Sequence, residues 1–155
     1  VRQKNFELGY VGTPTRIDIK LVNNLVKENF IPVITPMGLD DQKKIYNINA
    51  DTAAGALAVS LKSRRLLLMT DVEGVYDKNK KLISEIRPTE AEKLIENDTI
   101  KEGMIPKIKT CINSIEDGVR GVVIIDGRQP RSILFELFSD KGAGTLIRKW
   151  NHFKQ

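Results

Sequence analysis

Two amides and a carboxylate stand close together in Asn47-Ile48-Asn49-Ala50-Asp51, just ahead of the small residues Ala53, Ala54, Gly55 and Ala56. A helix starting there offers free N–H groups to an anion, and the amides can bond a carboxylate or a polar backbone. The same residues have a plain structural reading, with Asp51 capping the helix and the asparagines shaping the preceding turn. Thr70-Asp71-Val72-Glu73-Gly74-Val75-Tyr76 supplies a hydroxyl, a carboxylate and a glycine at the end of an apolar block. That combination suits a ribose or a base, although a tight hairpin uses the same residues. In Lys101-Glu102-Gly103-Met104-Ile105-Pro106-Lys107 a lysine falls at the start of a helix, where the dipole disfavours a cation. It reads either as a partner for an anion such as phosphate or as a surface lysine. Gly142-Ala143-Gly144-Thr145 reads as a strand-entry turn before a phosphate cradle, and neither G-x-x-x-x-G-K-[ST] nor a G-x-G-x-x-G after a strand is present. His152 is the only histidine, so the sequence has no material for a histidine-built metal site or a Ser-His-Asp hydrolase. Chemistry rests on Lys, Asp, Asn and backbone.

The elements that must position these groups follow from periodicity. Ile17, Leu21, Val22, Leu25 and Val26 predict a helix over about 16–28, with Thr15 and Asp18 as a variant capping box. Residues 30–35 read as a short strand closed by Pro36 and Gly38, and a second helix follows from Asp51 to about Leu61. Residues 66–70 are continuously apolar up to Thr70, the pattern of a central parallel strand covered on both faces. A hairpin over 72–83, a helix from Pro88 to about Asn97, and another over 104–115 stopped by Gly118 come next. Residues 121–125 predict a second buried strand, followed by a helix over about 130–138 and a last strand at 145–147. Strands alternating with helices imply an α/β fold, whose ligands bind outside the carboxyl ends of the strands. The candidate ends are 35–38, 70–75 and 126–128.

Length and composition bound the function classes. A chain of 155 residues with 41% hydrophobic residues suits one globular core, and no apolar run reaches the roughly 18 residues a membrane span needs. The net charge of +5 is spread through interleaved signs, unlike the one-sided basic stripe of a nucleic-acid binder. The single cysteine, Cys111, excludes an internal disulfide framework, sits in an apolar-periodic stretch as a packing residue, and fits a reducing, cytoplasmic setting.

Five blocks in order, N-I-N-A-D at 47–51, T-D-V-E-G-V at 70–75, G-M-I-P-K at 103–107, I-I-D-G-R at 124–128 and L-F-S-D-K-G-A-G-T at 137–145, resemble the C-terminal part of the N-acetylglutamate kinases, within the amino acid kinase family. The resemblance runs from about Leu8 to Ile147. It implies an αβα sandwich around a mainly parallel central sheet, incomplete at the N-terminus, with residues 1–155 forming the C-terminal ATP-binding part of the domain. It implies ATP-dependent phosphorylation of the N-acetyl-L-glutamate carboxylate in arginine biosynthesis, in a homo-oligomer. By position, Asn47 and Asn49 would meet the acetylglutamate, Asp51 would orient the catalytic lysines, and Lys107 would lie on the transferring phosphoryl group. Thr70, Asp71, Gly74, Met104 and Ile105 would surround ATP, with Mg²⁺ bridging its phosphates and no side-chain metal cluster. Glu136 and Gly144 fall in the region that binds an L-arginine effector in the feedback-sensitive branch.

The chemistry agrees with these residue types, because an ionised acceptor carboxylate needs no general base but does need positive charge to bring two anions in line. The resemblance places an amino-terminal lysine, glycine-rich phosphate turns and the arginine that holds the acceptor carboxylate upstream of Val1. Thr13-Pro14 stands where the family often has an acidic residue, and Arg131 where arginine-sensitive members commonly have histidine. The competing readings are another carboxylate or phosphate kinase of the same superfamily, and a nucleotide-binding regulatory module without catalysis.

Overall fold

The most apolar block of the sequence, Val122–Asp126, is buried at every position and anchors the second half of the chain. The computed structural model describes residues 1–4 and 9–149, so Leu8 and His152 lie outside the described residues. The chain divides into two units, Val1–Lys62 and Ser63–Gln155. Each has its own sheet, and both mix parallel and antiparallel pairs, the α/β architecture that the alternation predicts.

The first unit holds β1 (Arg2–Gln3), β2 (Val11–Thr13), α1 (Lys20–Lys27), β3 (Met37–Leu39), β4 (Ile45–Ile48) and α2 (Ala50–Ser60). Its sheet has the order β1-β2-β4-β3, with β2 and β4 parallel in the middle and the two edge strands antiparallel to them. Alternation along β4 buries Tyr46 and Ile48 and leaves Ile45 and Asn47 exposed. The β3–β4 turn is held by Asp40, whose Oδ1 accepts from the backbone N–H groups of Gln42 and Lys44 at 2.9 Å each. These bonds, the one from Lys44 first, hold the Asp40 carboxyl below its ordinary pKa.

Three expectations for this unit are corrected. Helix α1 begins at Lys20, and Thr15 does not cap it; Asp18 Oδ1 instead accepts from the Lys20 N–H at 3.0 Å. Residues 30–35 form no strand, and Ile31 and Val33 are 91% and 95% exposed. β-branched residues favour a strand only where a partner completes the ladder, and the described residues supply none. The strand begins instead at Met37 and runs through Gly38, which had read as a stop signal; the β3–β4 hairpin was not legible for that reason.

The second unit holds β5 (Leu66–Thr70), β6 (Glu85–Ile86), α3 (Pro88–Glu96), α4 (Ile105–Glu116), β7 (Val122–Asp126), α5 (Ser132–Phe138) and β8 (Gly144–Ile147). Its sheet has the order β5-β7-β8-β6, with β5/β7 and β8/β6 parallel and β7/β8 antiparallel. Thus β5 pairs in parallel as expected but lies at the edge of this sheet rather than at its centre, and Met69 is 46% exposed. The hairpin over 72–83 is reduced to a turn at Asp77 with one bridge, Tyr76 to Leu82. Helix α4 turns Ile108, Cys111, Ile112 and Ile115 into the core, and Gly118, at φ +109°, ends it. Buried Thr145 ties three segments together: its Oγ1 accepts from the Val75 N–H at 2.8 Å and donates to the Ile83 carbonyl at 2.6 Å. Among the described residues no helix is long and apolar enough to cross a membrane.

Candidate functional site

Asn47, Asn49 and Asp51 belong to the first unit, and the other residues singled out from the sequence belong to the second. At the start of α2 the cap is Asn49, not Asp51. Its Oδ1 accepts from the Thr52 N–H at 3.1 Å, while Asp51 sits in the first turn of the helix, half-buried, where a carboxylate suits the dipole. Capping is therefore removed as the reason for Asp51. Asn47 is exposed on β4, one residue before the buried Ile48. The small residues Ala50, Ala53 and Ala54 line a cavity of about 360 Å³ together with Arg16, Asp18 and Thr35, all within the first unit.

In the second unit the parallel strands β5 and β7 end side by side, with Thr70 in register with Asp126. The Gly127 N–H donates to the Thr70 carbonyl at 2.8 Å, one bond past the ladder. Thr70 Oγ1 donates to Asp71 Oδ1 at 3.2 Å, and Tyr76 Oη donates to Glu73 Oε2 at 2.9 Å, which raises the tyrosine pKa. Gly74 has an internal reason for being glycine: a Cβ there would run into Thr145 Oγ1 and Leu82. Its small size serves packing against β8, in addition to any ligand.

Lys107 lies in the first turn of α4, two residues after Ile105, and is half-buried. Because α4 packs on β7 and leads into its first residue, the start of the helix lies toward the carboxyl end of that strand. Met104 is the N-cap residue, and no side chain caps this helix. The Ile105 N–H donates to the Glu102 carbonyl at 3.3 Å, Pro106 has no N–H, and the Ile108 N–H donates to the Met104 carbonyl at 3.0 Å, so backbone bonds close most of the first turn.

Two charge pairs were not legible in the sequence. Asp126, buried at the end of β7, accepts on both oxygens from Arg128: Nε to Oδ1 at 3.0 Å and Nη2 to Oδ2 at 2.9 Å, with the Arg128 backbone N–H adding 2.9 Å to Oδ1. These bonds hold the Asp126 carboxyl below its ordinary pKa, and Asp71 and Glu73 add their field to Arg128. Glu136, also buried, is already engaged: Arg65 donates to its Oε1 at 2.7 Å and the Ala143 N–H to its Oε2 at 2.9 Å. Gly144 pairs with Ile125 so closely that a Cβ would run into the Ile124 carbonyl. Spacing shows a carboxylate but not a partner 71 residues away.

Parallel strands β5 and β7 end together at a hydroxyl-carboxylate-glycine turn, and α/β folds commonly bind ligands at such strand ends. The amino acid kinase family pattern matches residues 1–126, and the chain belongs to that family. It is similar to the acetylglutamate kinase of Pelagibacter ubique (strain HTCC1062), 54% identical over 149 residues covering 96% of this chain and 52% of that protein. The acetylglutamate kinase of Bradyrhizobium sp. (strain ORS 278) is 52% identical over 147 residues, 95% of this chain and 49% of that protein. The chain thus spans about half the length of the curated relatives it matches. Among solved structures, N-acetylglutamate synthase from Neisseria gonorrhoeae complexed with coenzyme A and L-arginine superposes with a TM-score of 0.86 at 27% identity, covering 92% of this chain and 33% of that one. Carbamate kinase from Giardia lamblia bound to AMP-PNP, at 22% identity and a TM-score of 0.69 over 90% of this chain and 52% of that one, shares the fold.

Proposed function

We propose that this chain is the ATP-binding part of a cytoplasmic, homo-oligomeric enzyme that phosphorylates the carboxylate of N-acetyl-L-glutamate in arginine biosynthesis. The observation that carries the reading is the likeness to acetylglutamate kinases over 96% of the chain. Thr70, Asp71, Gly74, Met104 and Ile105 would hold the nucleotide, and Lys107 would face the phosphoryl group in transfer, where an ammonium stabilises charge spreading over the equatorial oxygens. Asp51 would orient lysines by charge, and Asn47 would contact the acceptor. Asn49 uses its amide oxygen for the cap, so it would reach the acceptor through its NH₂. Mg²⁺ would ride on the nucleotide phosphates. Mg²⁺ usually keeps several waters and is bound largely through substrate phosphates, so it would arrive with the nucleotide.

The test is complementation in trans. The chain is co-expressed with the amino-terminal half of the Pelagibacter relative and assayed with ATP, Mg²⁺ and hydroxylamine against N-acetylglutamate, glutamate and carbamate. Acyl hydroxamate from N-acetylglutamate alone is the expected result. Transfer to another acceptor would replace this substrate, and ATP binding without transfer to any acceptor would favour a regulatory module.

L-arginine is a further proposed ligand, supported by its presence in the synthase structure that this fold resembles. Glu136 and Gly144 would take part, with the condition that a guanidinium reaching Glu136 must share or displace Arg65.

A further inference from the structure

The tripeptide Asp126-Gly127-Arg128 has no part in the nucleotide reading above, yet it is the best-bonded feature at the carboxyl ends of β5 and β7. Asp126 is 3% exposed, and a carboxylate taken out of water needs donors for both oxygens. It receives three from one residue, the backbone N–H and two N–H groups of the single Arg128 guanidinium, so the loop is folded back on itself. Within that loop the Gly127 N–H points at the Thr70 carbonyl, at 2.8 Å, and a Cβ on Gly127 would press on Met69 and the same carbonyl at 3.3–3.5 Å. The clamp therefore acts directly on the residue where β5 turns into 70–74. Arg128 is otherwise open to solvent, with its side chain 68% exposed, and it lies in the field of Asp71 and Glu73 from that turn. Lysine could supply the charge but not the planar fork.

We infer that Arg128 is a positioning residue for nucleotide binding: it locks Asp126, and through the Gly127–Thr70 bond it fixes the 70–74 turn in its binding geometry. The inference rests on the nucleotide reading of that turn. Truncating Arg128 leaves the buried Asp126 carboxylate without its fork and frees the turn, so a ligand must then order what was ordered before.

The experiment titrates ATP with Mg²⁺ into the 155-residue chain by calorimetry, well below the melting temperature of each variant. Arg128→Ala and Arg128→Lys are compared with Arg131→Ala, which removes the same charge from the same loop where no ion pair is found among the described residues. Both Arg128 variants are expected to bind at least tenfold more weakly, with Arg131→Ala within twofold of the parent. Asp71→Asn combined with Arg128→Ala should weaken binding by less than the product of the two single effects, as expected for groups acting through one turn. A merely structural Arg128 would lower the melting temperature and leave the affinity of the folded fraction unchanged. Parent-like binding by the Arg128 variants, or strict multiplication in the double variant, overturns the positioning role alone. Failure of the unaltered chain to bind ATP overturns the nucleotide reading and this inference with it. Arg128→Lys, which keeps charge and length, serves if the alanine variant does not fold.

Discussion

Asn49 and Asp51 stand two residues apart, and the structure gives the helix cap to Asn49. Replacing Asn49 by Ala removes the acceptor for the Thr52 N–H and should cost about 1 kcal/mol of stability, the usual value for an N-cap, read from a urea midpoint at unchanged slope. Asp51→Asn leaves that cap in place and keeps the side-chain shape, so the chain should still fold to a parent-like circular dichroism spectrum. In the complemented kinase, however, it should lower turnover at least tenfold, because an amide cannot hold lysines by charge. Full turnover in Asp51→Asn would remove it from the chemistry. Lys107→Ala should likewise act on turnover more than on the Michaelis constant for ATP, since its charge matters most as the phosphoryl group separates from both oxygens. An unchanged turnover number with a raised constant would contradict that. The residue types were legible in the sequence. Which of two neighbouring polar residues caps was not, because that depends on a helix start that spacing fixes only to within a residue or two. Glu136 likewise looked open to a guanidinium, and Arg65 already fills that place.

Elements marked by strong apolar periodicity were readable, and those defined by which strand lies beside them were not. Residues 122–126 are apolar enough to be buried wherever they pair, α3 carries its start signal at Pro88 and α4 its stop signal at Gly118, and these elements formed within a few residues of expectation. Residues 30–35 have the same β-type composition and no ladder, and β5 is an edge strand although its sequence reads as central, because composition reports burial and not neighbours. Thr145 shows the cost of a single bridging hydroxyl. Thr145→Val conserves shape but leaves the buried Val75 N–H without its acceptor and the Ile83 carbonyl without a donor, at about 1–3 kcal/mol for each unsatisfied group. The melting temperature should fall by several degrees, and a change under about one degree would show that the hydroxyl is replaceable. Acid should act through Asp126. Its folded pKa lies below the unfolded value of about 3.9, so its contribution is fully present above that value and is lost as pH falls through the folded pKa. Asp126→Asn should therefore be less stable than the parent at pH 7, and the gap should narrow only below about pH 4. A gap that stays constant from pH 7 to pH 2 would mean that the Asp126 charge contributes nothing.

At the scale of the whole molecule, the chain presents two units, each with its own sheet, and matches about half the length of its curated relatives. Phosphoryl transfer between two anions is catalysed almost entirely by positioning and by charge acting at the same moment, and this sets what the chain should do alone. Holding nucleotide and acceptor in line is worth an effective molarity of about 10⁵–10⁸ M, and it vanishes if either is unheld. Within this chain the resemblance assigns one catalytic lysine, Lys107, while the chain spans only about half the length of the relatives it matches. The start of the 70–74 turn proposed for the nucleotide is held inside the second unit by the Thr70 hydroxyl on Asp71 and by the Gly127 N–H on the Thr70 carbonyl. The two capacities should therefore separate: the 155-residue chain should retain measurable affinity for ATP while forming no acyl phosphate from N-acetylglutamate above the enzyme-free rate. Hydroxamate colour from the purified chain, growing in proportion to its concentration and abolished in Lys107→Ala, would sink this division and show that these 155 residues suffice for transfer. Colour that persists in Lys107→Ala would trace to a contaminating kinase, which the same pair of assays exposes.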